Sequence, residues 1–163
     1  MSREVRFFTA EDPAMTQVRA IRQQVFVQDL GVPPAQEFDQ ADLPGSGTAF
    51  ALLYIDGAAQ GTGRVQVQKD TCKIGRIALL PAARGKGAGR RLVCALVRQG
   101  VTQGACRVAV DARLEAVGFY EKLGFVPCGT PFMQRGMRHV PMELTGAALK
   151  CVAGEREDDK EKE

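Results

Sequence analysis

Histidine occurs once in the 163 residues, and no two of the cysteines, Cys72, Cys94, Cys106, Cys128 and Cys151, lie close enough for a CxxC pair. A structural zinc site is therefore not expected, nor is any other metal. The odd cysteine count argues for free thiols in a reducing compartment, so a cytoplasmic protein is expected. No apolar run approaches the roughly 18 residues that a membrane span needs. Residues 1–8 carry charge early and lack an apolar signal core, so secretion is not expected either. Internal repeats, coiled-coil heptads and a second domain are also lacking. What remains is 45% hydrophobic and 25% charged, an ordinary balance for one globular domain.

That domain is expected over residues 1–154, followed by a charged tail over 155–163. The tail holds six acids and three bases, a balance of −3 within a total of +3, which leaves the body at +6. A basic body suits a phosphate-rich ligand or nucleic acid. Nucleic acid is disfavoured because Arg84–Arg91 has no aromatic on which a base would stack.

Hydrophobic periodicity predicts the order β-α-β-β-β-α-β-α-β-β, a mixed α/β sheet with helices on its faces. Arg3–Phe8 reads as the first strand. A helix opened by Thr9 or Asp12 ahead of Pro13 carries Met15, Val18, Ile21, Val25 and Phe26 on one face. Residues 31–47 read as a long polar loop containing Glu37, Asp39 and Asp42 and no base. Strands follow at Thr48–Ile55, before the turn Asp56–Gly57, at Gly61–Gln68 and at Cys72–Leu80. Arg90–Gln103 reads as a helix, Ala105–Asp111 as a strand, and Ala116–Leu123 as a short helix stopped by Gly124. Phe125–Cys128 and His139–Leu144 form the last strand pair.

The strongest chemical signal is Arg84-Gly85-Lys86-Gly87-Ala88-Gly89, between a strand and a helix. Glycines allow tight turning and bring amide N–H groups to an anion, and the helix start adds unpaired donors. Arg84, Lys86, Arg90 and Arg91 supply formal charge, so a pyrophosphate fits. The string GxxxxGK[ST] of a Walker loop is absent, and the loop follows the fourth strand instead of the first, unlike a dinucleotide fingerprint.

The run Ile77-Ala78-Leu79-Leu80-Pro81 with Arg84–Gly89 resembles the acetyl-CoA motif of the GNAT family of N-acetyltransferases. Gly118-Phe119-Tyr120-Glu121-Lys122-Leu123-Gly124-Phe125 resembles a second segment of that family, in family order and about 30 residues later. Val25-Phe26-Val27, Gly31-Val32-Pro33, Glu37-Phe38-Asp39 and Asp42 are similar to the N-terminal signature of one bacterial branch. Phe132, Gly136, His139 and Met142 are similar to its C-terminal hairpin. Where the family often has Asn or Gln near the exit of the fifth strand, this chain has Arg113, which would reach a phosphate.

The resemblance, over roughly residues 3–145, implies a central, largely antiparallel sheet whose fourth and fifth strands splay apart, with helices on its faces. Acetyl-CoA would lie in the gap as acyl donor. Backbone of Ile77, Ala78 and Leu79 would pair with pantetheine, and Arg84, Gly85, Lys86, Gly87, Ala88, Gly89 and Arg90 would hold pyrophosphate. An amine acceptor attacks the thioester, the amide near Leu79 stabilises the oxyanion, and Tyr120 protonates the leaving thiolate. An alkyl amine of pKa about 10.4 is neutral in only about one part in a few thousand at pH 7, so a base is needed. Glu37, Asp39, Asp42 and His139 are the candidates, Glu37 and His139 foremost, and the same four are expected to line the acceptor site. The alternative is a non-catalytic CoA-binding regulator on the same fold. A homodimer is left open, and neither membrane nor nucleic acid is expected as partner.

Overall fold

The computed structural model describes residues 2–155. The charged tail beyond Glu155 lies outside them. Strand β1 (Arg3–Phe8) pairs antiparallel with β2 (Ala49–Ile55), which continues through β3 (Ala58–Gln68) to β4 (Thr71–Leu79). Strand β4 pairs parallel with β5 (Arg107–Arg113), and β5 pairs antiparallel with β8 (Met137–Thr145). Short strands β6 (Val126–Pro127) and β7 (Phe132–Gln134) flank β8. The expected mixed, largely antiparallel sheet is present.

Alternation along β2 sends side chains to both faces. Ala51 and Leu53 join one core with Val65, Ile74 and the helix α3 (Ala88–Thr102), through Leu92, Val93, Leu96 and Val97. Phe50 and Leu52 join the other core, under α1 (Met15–Arg22), with Met15, Val18, Ile21, Val25 and Phe26. The stripe read from spacing is thus the buried one, yet its helix is not uniform: Gln23–Asp29 runs on from α1 as a π-helix. Each apolar face of the sheet is covered by a helix, which is the standard solution for burying both.

Three features depart from the sequence reading. The loop over residues 31–47 contains a short helix α2 (Pro34–Glu37) and a single turn at Gln40–Asp42, capped by Asp39. After α4 (Val117–Lys122), the last strand pair becomes the β7–β8 hairpin with β6 alongside. A C-terminal helix α5 (Gly146–Ala153) packs on the α3 side through Leu149 and Val152. Its eight residues were too short a pattern to separate from the charged tail.

The sheet is joined across β4 and β5 only from Thr71–Ile74 to Arg107–Val110. Past Ile74 and Val110 the strands part. A bulge begins the departure: Thr62 faces Ala78 and Arg64 faces Gly75, so two residues of β4, Arg76 and Ile77, stand opposite Gly63. Arg76 takes φ +50°, a left-handed conformation that costs a side-chain-bearing residue roughly 1–2 kcal/mol.

Candidate active site

The parting strands open a cavity of about 480 Å³ lined by Ile77, Ala78, Leu79, Arg84, Gly89, Arg113, Phe119 and Tyr120. Leu80 donates its N–H to Gln60 on the β3 side. By alternation Leu79 and Ile77 therefore turn their backbone groups into the gap, as an acceptor strand would require. The Leu79 carbonyl accepts from Arg84 Nε at 3.1 Å, which folds that arginine back across the mouth. Gly85 (φ +79°) and Gly87 (φ +76°) occupy left-handed backbone that bends the chain into α3. Ala88 begins the helix, so its first N–H groups stand at the loop with no intrahelical partner.

The basic side chains near the loop divide. Lys86 is exposed. Arg90 pairs with Glu155, and buried Arg91 donates to the Arg3 carbonyl at 2.8 Å. Arg113 lines the gap and lies 3.7 Å from Glu115.

Tyr120 is held on α4 between Phe119 and Phe125, edge-on at ring-centroid distances of 5.1 and 5.3 Å. It is only 6% exposed yet lines the gap. Burial pushes its phenol well above the ordinary range, against a smaller opposing effect of Arg113, so the hydroxyl keeps its proton.

A second cavity of about 440 Å³ adjoins the first, and Gly75, Arg76, Asp111, Arg135 and His139 line both. His139 on β8 is 1% exposed and stacked on Phe132 at 5.7 Å. Its Nδ1 sits 2.9 Å from the Met137 carbonyl, which assigns the proton to Nδ1 and leaves Nε2 as an acceptor. Burial, Arg135 and Arg113 lower its pKa despite the Met137 hydrogen bond, so the ring is neutral at pH 7.

The acidic loop is placed differently from its sequence reading. Glu37 is 0% exposed, with Arg22 Nε at 2.9 Å, Arg135 Nη1 at 2.5 Å and Arg76 Nε at 3.3 Å from its carboxylate. Asp42 accepts from Arg22 Nη1 at 2.6 Å and Arg64 Nη1 at 2.9 Å. Burial alone would raise Asp42, but the Arg22 hydrogen bond and charge, the Asp39 N–H and Arg64 outweigh it and hold the carboxyl at about 2. Asp39 reaches the second cavity, where Arg64 grips it at 2.8 and 2.9 Å. Of the four residues expected at the acceptor site, Asp39 and His139 line the cavity; Glu37 and Asp42 form its interior support.

Sequence reading missed the arginines Arg22, Arg64, Arg76 and Arg135, and Asp111 on β5. A signal existed. Arg22 stands four residues after Val18 on an apolar stripe, Arg64 and Arg76 lie inside strands, and the loop over 31–47 has acids without bases. Buried charges require partners, and these two sets complement each other.

The chain matches the acetyltransferase (GNAT) domain family over residues 12–146. A Bacillus subtilis protein named "putative acetyltransferase" is 37% identical over 122 residues, covering 75% of this chain and 83% of that protein. The crystal structure of a "putative N-acetyltransferase" from Lactobacillus plantarum superposes with a TM-score of 0.78 at 29% identity, over 88% of this chain and 97% of that one. An acyl-CoA N-acyltransferase from Pseudomonas aeruginosa shares the fold, with a TM-score of 0.74 at 23% identity, over 87% and 99%. With its parted strands, glycine loop and family match in agreement, the chain belongs to the GNAT family of acetyltransferases.

Proposed function

We propose that the protein transfers an acetyl group from acetyl-CoA directly to an amine. The observation that carries this is the continuity of the two cavities: one fits a donor between β4 and β5, the other an acceptor, and they share His139 and Asp111 as walls. Pantetheine pairs with the backbone of Ile77 and Leu79, and the loop Arg84–Gly89 takes the pyrophosphate at the start of α3. Arg113 reaches the same ligand from β5.

The amine gives up its proton to His139 Nε2, directly or through water, and its nitrogen attacks the thioester carbonyl. The tetrahedral oxyanion takes the Leu79 N–H. Collapse expels the thiolate, which takes the Tyr120 proton, and the second proton of the attacking nitrogen leaves as the amide forms and restores the phenol through water. The burial that raises the phenol also raises a thiolate placed in the same gap, so the two remain matched. Glu37 acts here through Arg76 and Arg135, which it holds against the acceptor wall. Five cysteines outside any disulfide, two of them buried, suit a reducing compartment.

Thiol release from acetyl-CoA across an amine library tests the reading, alongside calorimetric titration of acetyl-CoA. Binding with amine-dependent release supports transfer. Binding without release from any amine would leave a CoA-binding regulator as the function.

A further inference from the structure

The second cavity is cationic where a site for a plain amine would be acidic. Arg64, Lys73, Arg76 and Arg135 line it against Asp39 and Asp111. Including the supporting interior, Arg22, Arg64, Lys73, Arg76 and Arg135 face Glu37, Asp39, Asp42 and Asp111, which leaves one positive charge unmatched. The Arg135 side chain is 8% exposed, and its guanidinium lies 5.1 Å from the Phe26 ring centroid. Its Nε is buried without a hydrogen-bond partner. Arg135 Nη2 and Arg76 Nη1 likewise make no hydrogen bond among the described residues. Burial, followed by repulsion from Arg135 and Arg64, lowers Arg76 to about 10.

The negative side of the cavity is local. Asp111 meets Lys73 at 2.7 Å and lies on the wall shared with the donor gap, as does His139. A ligand that satisfies both ends has an ammonium directed to Asp111 and His139 and an anion directed to the free N–H groups of Arg76 and Arg135.

We infer that the acceptor is an amino carboxylate, bound by its carboxylate to Arg76 and Arg135 while its amine is presented at Asp111 and His139. The inference rests on the N-acyltransfer reading and names the acceptor class for it. A guanidinium with free donors recognises a carboxylate by charge-assisted hydrogen bonds, and a neutral carboxamide of the same shape forfeits the charge. A diamine would set its second ammonium against two arginines.

The test compares glycine, β-alanine and γ-aminobutyrate with their carboxamides and with putrescine, by acetyl-CoA thiol release at fixed ionic strength. The carboxylates should exceed their carboxamides in kcat/KM by about ten-fold or more. Arg135→Gln should collapse that ratio towards unity, and Arg135→Lys should restore part of it. Carboxamides or putrescine used as well as the carboxylates would overturn the assignment while leaving N-acyltransfer intact. Should Arg135→Gln fail to fold, the wild-type ratio decides alone. Should no amine support release, N-acyltransfer itself fails. Magnetic-resonance titration of the CoA-bound protein with β-alanine and β-alaninamide then decides: selective binding of β-alanine supports the anion site, and binding of neither overturns it.

Discussion

At the scale of single residues, the proposed mechanism divides the proton traffic between Tyr120 and His139, and each makes a separable prediction. Tyr120→Phe keeps the ring contacts with Phe119 and Phe125 and removes only the hydroxyl. Turnover should fall about 10²–10⁴-fold with acetyl-CoA affinity retained. Steady-state kinetics with chemistry rate-limiting check this, and wild-type kcat would assign the proton to another donor. His139→Gln should lower kcat and remove an acid limb from its pH profile. Because burial lowers the His139 pKa, that limb falls below the ordinary value of about 6.5: activity is full above it and lost as protonation fills Nε2. An unchanged limb would clear His139 of the role. The short helix that carries Tyr120 was legible because its residues form a recognisable string. The charged side chains were not, since burial of Glu37 and Arg22 depends on contacts between residues far apart in sequence.

At the scale of elements, the glycine turn before α3 was legible because its requirement is local. Gly85 and Gly87 adopt left-handed backbone, and the helix begins at the next residue. Gly87→Asp would place a carboxylate beside the pyrophosphate. Calorimetry should then show much weaker acetyl-CoA binding. The thermal stabilisation that wild type gains from ligand, about 2.7 kcal/mol at a hundred-fold excess over Kd, should largely disappear. Equal affinity in a folded variant would remove the loop from the donor site. The acidic loop was legible only as composition: a run of acids without bases reads as solvated or amine-binding until the opposing arginines are placed. Helix α2 and the capped turn exist to deliver Glu37 and Asp42 inward, and no local pattern announces that. The π-helical stretch after α1 was equally hidden, because one wide turn preserves the same apolar spacing around Val25 and Phe26.

At the scale of the whole molecule, the arginine–carboxylate network ties α1, the acidic loop, β3, β4 and the β7–β8 turn together, so its titration is felt as stability. Asp42 is held at about 2 against an ordinary 3.8. A depressed carboxyl stabilises the fold above its unfolded value and loses that contribution as pH falls through the folded one. Acid unfolding should therefore steepen between pH 4 and 2, by on the order of 2 kcal/mol from this group. Asp42→Asn should abolish that component. It also leaves Arg22 and Arg64 short of charge, at a cost of about 3–5 kcal/mol near neutrality. Melting curves against pH check both, and an unchanged acid limb in the variant would place the sensitivity elsewhere. The same molecule is mechanically two half-sheets, β1–β4 and β5–β8, hinged along the four pairs from Thr71–Ile74 to Arg107–Val110. A hinge at one end makes the open end compliant, and a ligand bonded to both halves acts as a strut. Backbone amides of Ile77, Leu79, Asp111 and Arg113 should thus exchange with deuterium far more slowly once acetyl-CoA is bound, while those of the hinge pairs stay slow throughout.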